Sequence, residues 1–316
     1  MSRVVFIGAS SFGLKSLITA SQIEGCEVVG VLTIPQNFSI SYRPEGVKNV
    51  LHADFNVFCK ENDIPCFVME GGMNNPSLFE KIRVLNPDFF LVVGWYHLIP
   101  RLWRDLAPAY GLHASLLPDY SGGAPLVWAI INGERFTGIT FFRFEDGVDN
   151  GPIIAQKATT IFDEDDIATL YERIENIGLN LLQRNIPRII NGSLKLTPQN
   201  ESFRRVFPQR SPEDGRIDWR RDSKEVYNFI RAQTKPYPGA FTYWNSKEIF
   251  IWKSRRVEYA KNSICKSGKI VNANGSLFVH TGRGFLEILS LGDDEETMTG
   301  SSFLQRNPTC AEWDDF

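Results

Sequence analysis

This 316-residue chain is short of several things that usually give a protein's class away, and each shortage excludes something. Its five cysteines, at positions 26, 59, 66, 265 and 310, include no Cys-x-x-Cys pair. An odd count without that spacing argues against both a disulfide framework and a zinc site, and for reduced thiols. Long apolar runs are missing too. None approaches the ~18 residues that a membrane helix needs, and the N-terminal run before Gly8 is too short for a secretory core. A cytoplasmic protein without a membrane partner is the expectation. Net charge is scarce: 34 Lys and Arg against 37 Asp and Glu leave −3. Such a chain has no global attraction to phosphate backbones, so a nucleic-acid partner would need a local basic patch. Internal repeats and low-complexity tracts are absent. Histidine is rare, four in all, and one of the four lies at the centre of the most informative stretch.

At 43% hydrophobic and 22% charged residues, the chain is globular and long enough for two domains. Residues 4–7 are a continuous apolar run ending in Gly8-Ala9-Ser10-Ser11-Phe12-Gly13, with helical spacing over 14–23. A strand, a tight turn and a helix open a doubly wound sheet. The turn lacks Gly-x-Gly-x-x-Gly, and Leu14-Lys15 follow Gly13 where a P-loop has Lys-Ser/Thr, so it reads as a sheet-packing turn. Ser10 and Ser11 still place a helix start where a substrate phosphate could sit. Buried strands are expected at 26–33, 66–69, 88–93, 110–114, 138–144 and 153–161, and helices at 50–62, 76–85, 126–132 and within 163–192. Residues 34–47 read as a long loop, and 198–201 have linker composition. Strands alternating with helices imply a mostly parallel α/β sheet. The domains are therefore drawn as 1–200 and 201–316. The second contains a helix over 223–233 and five short strands, at 240–243, 249–252, 269–272, 276–279 and 285–289, which suggest a small barrel.

Residues 111–149 carry the chemistry. His113 stands at a strand end, Pro118 and Gly122-Gly123-Ala124-Pro125 follow, and Asp149 closes a second loop between Gly147 and Gly151. A lone strand-end histidine is commonly a satisfied structural group. A carboxylate beside an imidazole, however, is the recurring arrangement for moving a proton near neutral pH, and the glycines permit a backbone path that aims Asp149 inward.

His113-x-Ser115-Leu116-Leu117-Pro118, Gly122-x-Ala124-Pro125 and Asp146-Gly147-x-Asp149-x-Gly151 resemble the signature of the folate-dependent formyltransferases of the methionyl-tRNA and sugar N-formyltransferase type. The likeness runs through Ser211-Pro212-Glu213-Asp214 and Pro236-x-Pro238-Gly239-Ala240-Phe241. It implies a Rossmann-like first domain, an OB-like β-barrel second domain, and 10-formyltetrahydrofolate as co-substrate with no metal. It also implies His113 and Asp149 as the catalytic pair, with Gly111 where the family has an Asn. Folate contacts fall on Trp95, Tyr96, His97, Leu98 and Ile99 and on Asp146 and Gly147; acceptor contacts are expected at Ser10, Ser11, Ser115, Pro118 and Arg210. Asp119-Tyr120-Ser121 stand where many members are basic. The acceptor expected is a small primary amine, an amino-sugar nucleotide ahead of tRNA, because residues 34–47 offer only Arg43 as a basic contact in the loop where a tRNA enzyme would need several. Formyltetrahydrofolate hydrolysis and a catalytically degenerate binding relative are the remaining alternatives, and a homodimer is compatible with all of them.

Overall fold

The computed structural model describes every residue except 41–42, 258–265, 294, 309–311 and 314–316. Cys265 and Cys310 lie outside the described residues, whereas Cys26, Cys59 and Cys66 are free thiols. The chain divides into two compact units. One comprises Met1–Gly123, Thr137–Thr159 and Glu172–Phe207; the other comprises Ala124–Phe136, Thr160–Tyr171 and Pro208–Phe316.

The elements run β1 (Ser2–Gly8), α1 (Ser11–Ser21), β2 (Cys26–Thr33), β3 (Asn37–Ile40), β4 (Arg43–Lys48), α2 (Asn56–Glu61), β5 (Cys66–Val68), α3 (Pro76–Arg83) and β6 (Phe89–Val93). After these come α4 (Arg101–Leu106), β7 (Ala109–His113), β8 (Ser121–Gly122), α5 (Pro125–Ile131), β9 (Phe136–Arg143), β10 (Ile153–Thr160), α6 (Ile167–Ile190) and β11 (Val206–Phe207). A seven-stranded sheet has the order β10-β9-β7-β6-β1-β2-β5. Strands β5, β2, β1, β6 and β7 are parallel neighbours, and β9 joins β7 antiparallel. Val4, Val5, Phe6 and Ile7 in β1 are fully buried, as a strand covered on both faces requires. The Rossmann-like expectation is therefore met.

Two segments near the β1–α1 turn differ from the sequence reading. Residues 34–47 contain a hairpin, β3 against β4, rather than a loop. Its period-two pattern turns Phe38 onto Tyr96 (ring centroids 5.1 Å apart) and His97 (5.8 Å), and buries Ile40. Residues 50–62 are helical only over α2. The side chain of Asn49 is buried; it donates to Ala9 O (2.9 Å) and accepts from Leu51 N (2.9 Å) and Tyr96 Oη (2.8 Å), while Ser10 bridges His52. Those bonds need an extended chain laid along the β1–α1 turn, and an intrahelical ladder would compete for the same groups.

The second unit is built on an antiparallel sheet. Helix α7 (Ser223–Arg231), opened by an Asp222–Glu225 capping box, precedes β12 (Ala240–Trp244), β13 (Lys247–Val257), β14 (Ile270–Ala273), β15 (Ser276–His280), β16 (Phe285–Gly292), β17 (Thr297–Thr299) and α8 (Gly300–Arg306). The order is β12-β13-β16-β15-β14, with β17 on β16. All five strands expected from the sequence are present. Their inward residues close over Trp219, which stacks on Trp313 at 6.4 Å.

Asn49→Ala is expected to lower stability by about 1–3 kcal/mol, because it leaves the buried Ala9 carbonyl with only the longer 3.4 Å bond from Ala53 N and removes the Asn49 bonds to Leu51 N and Tyr96 Oη. Urea denaturation checks this, and an unchanged midpoint would show that residues 49–52 are held by other means.

Candidate active site

Strand β7 delivers His113 to the carboxyl end of the parallel sheet, where open α/β folds place their ligands. Its Nε2 lies 2.8 Å from Tyr120 O. A carbonyl only accepts, so the ring carries a proton on Nε2. The other edge, Nδ1, faces Asp149 Oδ2 at 3.5 Å, with the two side chains 11% and 17% exposed. Asp149 itself stands at φ +52°, outside the region most side chains adopt, and its Oδ2 accepts the Gly122 amide at 2.9 Å. Gly151 is obligatory, since a Cβ there would lie 1.8 Å from Arg143 O. The pair expected from the sequence is thus within reach of a shared proton, and it is mostly withdrawn from water.

The loop after β6 holds Trp95, Tyr96, His97, Leu98 and Ile99. Trp95 Nε1 and His97 Nε2 are buried without a hydrogen-bond partner, and Leu98 is exposed. Burial holds the His97 imidazole below its usual value of 6.5, in its neutral form. Arg104, on α4, donates Nε to Ile99 O at 3.0 Å and pairs through Nη2 with the Asp146 carboxylate, which holds the pKa of that exposed group below its usual value. One guanidinium therefore joins the two loops assigned to a folate. Nothing in the sequence pattern singled it out.

The expected acceptor contacts are scattered. Ser10 caps α1 by accepting Gly13 N (3.1 Å), and Ser11 N donates to Leu51 O (2.8 Å), so two amides at that helix start are already engaged. Ser115 is buried, with its hydroxyl on Asp119 O at 2.6 Å, and Pro118 O accepts from Ser121 Oγ. Arg210 belongs to the other unit, where its guanidinium lies over Trp128 (4.8 Å) and donates to Gln233. These are contacts within the protein.

Residues 197–207 behave as a strap rather than a linker. Thr197 pairs with Ile153 in both directions at 2.8 Å. Gln199 Nε2 donates to Asp149 O and to Gly151 O, each at 2.7 Å. Arg204 reaches Ser121 Oγ (2.9 Å) and Val148 O (3.1 Å). Arg205 forks onto the Asp119 carboxylate with two 2.7 Å bonds while lying over the Tyr120 ring, and Phe207 stacks on that ring at 4.4 Å. Strand β11 then pairs with β8. The acidic Asp119 thus has its cation here, on the strap.

The family model described as Formyl transferase matches residues 1–186, and the one described as Formyl transferase, C-terminal domain, matches 210–308. A methionyl-tRNA formyltransferase of Caldanaerobacter subterraneus subsp. tengcongensis is 31% identical over 301 residues, 94% of each chain. The chain belongs to the formyl transferase family. Two solved structures share its fold. The N-formyltransferase of Helicobacter canadensis, described with folinic acid and dTDP-3-aminofucose, aligns at TM-score 0.65 and 21% identity over 91% of this chain and 98% of that one. HypX of Aquifex aeolicus, described in complex with tetrahydrofolic acid, aligns at TM-score 0.63 and 18% identity over 96% of this chain and 47% of that one. This formyl transferase therefore spans about half the length of HypX.

As a formyl transferase it departs from the signature at Gly111, and the structure shows what fills the space. On β7, Gly111 lies opposite Val92 of β6 and Phe142 of β9. A Cβ there would sit 2.4 Å from Val92 O and 2.5 Å from the Phe144 ring. Phe144 also packs on Phe142 (4.7 Å) and on the main core. An Asn side chain has no room.

Gly111→Asn is accordingly expected to destabilise by about 1–3 kcal/mol through overpacking. Adding Phe144→Ala should recover only the part due to the ring, because the Val92 carbonyl remains. Thermal melts of the single and double variants check this; a single variant as stable as the parent would show that the backbone shifts freely. A second expectation concerns pH. His97 resists protonation when folded, so as pH falls through about 6.5 the unfolded chain takes up a proton that the folded chain refuses, and stability drops. His97→Gln should flatten this acid-side slope in denaturant melts. His280, lowered by burial and by Lys269, keeps part of it. An identical slope in the variant would place the loss elsewhere.

Proposed function

We propose that this formyl transferase moves the formyl group of 10-formyltetrahydrofolate onto the primary amine of an amino-sugar nucleotide. The facing of His113 Nδ1 and Asp149 Oδ2 at 3.5 Å carries the reading. In the transfer the amine nitrogen bonds to the formyl carbon and the bond from that carbon to the folate N10 breaks. The amine gives up a proton and N10 takes one. His113, fixed by Tyr120 O on one edge, presents the other edge to Asp149, so the pair can hold that proton between the two nitrogens.

A reduced folate suits the residues available. Its flat heterocycle is rich in donors and acceptors, and Trp95 Nε1 and His97 Nε2 are the orphaned polar atoms of an otherwise apolar loop. Trp95 through Ile99 would hold it from one side, and Asp146 and Gly147 from the other, with Arg104 between the loops. The folate supplies the formyl carbon and the leaving nitrogen.

Charge supports a small acceptor. Nine Lys and Arg against six Asp and Glu occupy residues 201–235, but the surplus is already committed. Arg204, Arg205, Arg220 and Arg221 pair with Glu201, Asp119, Asp218 and Glu225. Arg210 and Arg231 turn inward, the latter onto the Phe162 and Asp165 carbonyls. A surface that tracks tRNA phosphates needs such cations uncommitted. Methionyl-tRNA is the second reading, favoured by the name of a relative 31% identical across 94% of both chains.

Tetrahydrofolate release is the assay, with a 3-amino- or 4-amino-deoxy sugar nucleotide, with Met-tRNA, and with no amine. Release with the sugar nucleotide alone is expected. Met-tRNA formylation that collapses as salt rises would transfer the acceptor to RNA, and formate release indifferent to amine would make the enzyme a hydrolase. If calorimetry with 5-formyltetrahydrofolate shows no heat up to millimolar ligand, the folate reading falls altogether.

A further inference from the structure

We propose that Gln199 is a positioning residue for Asp149, acting through the carbonyls of Asp149 and Gly151. Its catalytic consequence rests on the formyl-transfer reading; its structural consequence does not.

Asp149 adopts φ +52°, so its carboxylate is aimed by a backbone conformation that L residues avoid and that neighbouring groups must impose. The carbonyls of Asp149 and Gly151 both accept from the one Gln199 amide nitrogen, at 2.7 Å each. Carbonyls cannot donate, so the amide orientation is settled, and Gln199 Oε1 is left buried without a partner. Two carbonyls pinned to a single nitrogen fix the 149–150 and 151–152 peptide planes. On the far side of that turn, Asp149 Oδ2 takes the Gly122 amide at 2.9 Å and faces His113.

The other strap contacts do something else. Arg204 holds Val148 O but shares its guanidinium with Glu201 and Ser121, while the side chains of Arg205 and Phe207 grip the 119–120 loop. Arg204 reaches the peptide that enters Asp149, and Gln199 is the strap side chain that bonds the carbonyl of Asp149 itself. It is itself located by the Thr197–Ile153 pairing two residues earlier and by the Asn200 side chain, which accepts Ser202 N immediately after.

Three consecutive amides separate positioning from simple adhesion. Ser121 N donates to Arg205 O (3.0 Å) and Gly123 N to Phe207 O (2.8 Å), both strap bonds, whereas Gly122 N donates to the Asp149 carboxylate. In Gln199→Ala, amide hydrogen exchange followed by NMR should speed up about tenfold at Gly122 and stay unchanged at Ser121 and Gly123. Gln199→Glu, the same shape without donors, should behave alike. Turnover should fall by up to about 10²-fold with the KM for the formyl donor unchanged. The same substitution should cost nothing further in an Asp149→Asn background.

Continued protection of Gly122, loss of protection at all three amides together, or a full additional loss in the Asp149→Asn background would each overturn the proposal. If the unaltered protein transfers formyl to no amine, the formyl-transfer reading falls alone, and the exchange result still decides the role of Gln199.

Discussion

The hydrogen bond from the Gly122 amide to the Asp149 carboxylate ties together two loops that leave the sheet at different strand ends. Much of the surrounding geometry follows from it. To present its amide, Gly122 takes φ +93° with Phe207 O only 2.4 Å from where a Cβ would be, so no other residue fits. To meet it, Asp149 takes a left-handed conformation. The loop that bears Gly122 also brings Tyr120 O under His113 Nε2, so both edges of the imidazole are set by the same pair of loops. Such loops have little core of their own. They keep their shape because Thr140 and Gln156 bond to the 115–117 segment from the sheet while the strap bonds them from the other side.

The parts of this architecture that were legible in the sequence are those where one residue's chemistry or a simple period decides the matter. Fully apolar runs such as residues 4–7, closed by a glycine turn, read as strands buried on both faces, and the short strand-type runs within 240–289, separated by turn residues, read as a small β domain. His113 and Asp149 stood out as a rare titratable residue and a glycine-flanked carboxylate, and the structure brings the two side chains to 3.5 Å. The segments misread were those whose conformation is imposed by distant partners. Residues 49–52 follow the Asn49 side chain, and the 37–48 hairpin forms where Phe38 finds Tyr96 and His97. Residues 198–201 have the composition of a linker because their role is played by polar side chains reaching carbonyls. Composition cannot distinguish that from solvation.

Electrostatics explains why basic residues near the site give a poor guide to its ligand. Arg204, Arg205 and Arg104 lie within or beside the loops that frame His113, yet each is bound to a carboxylate or a carbonyl of the protein. They neutralise Asp119, Asp146 and Glu201, which would otherwise repel the Asp149 carboxylate and any anionic ligand. The neutral His97 points the same way: the loop after β6 offers hydrogen bonds from uncharged rings rather than a positive field.

The exchange of Asn for Gly at position 111 belongs with Phe144. Removing a side-chain oxyanion donor from an acyl-transfer site typically costs about 10²–10³ in rate, so a glycine where the resemblance expects that donor bears directly on the proposed chemistry. In this chain the vacated volume is filled by an aromatic ring that the antiparallel β7–β9 ladder carries to the same place, with Phe142 directly opposite Gly111 and Phe144 just beyond the end of β9. A ring there cannot donate a hydrogen bond. Under the formyl-transfer reading proposed above, it leaves charge on the formyl oxygen to be met by the imidazole pair and by the substrates themselves. An amine whose own neighbouring hydroxyl or ammonium can donate would suffer less from the change than one without such groups.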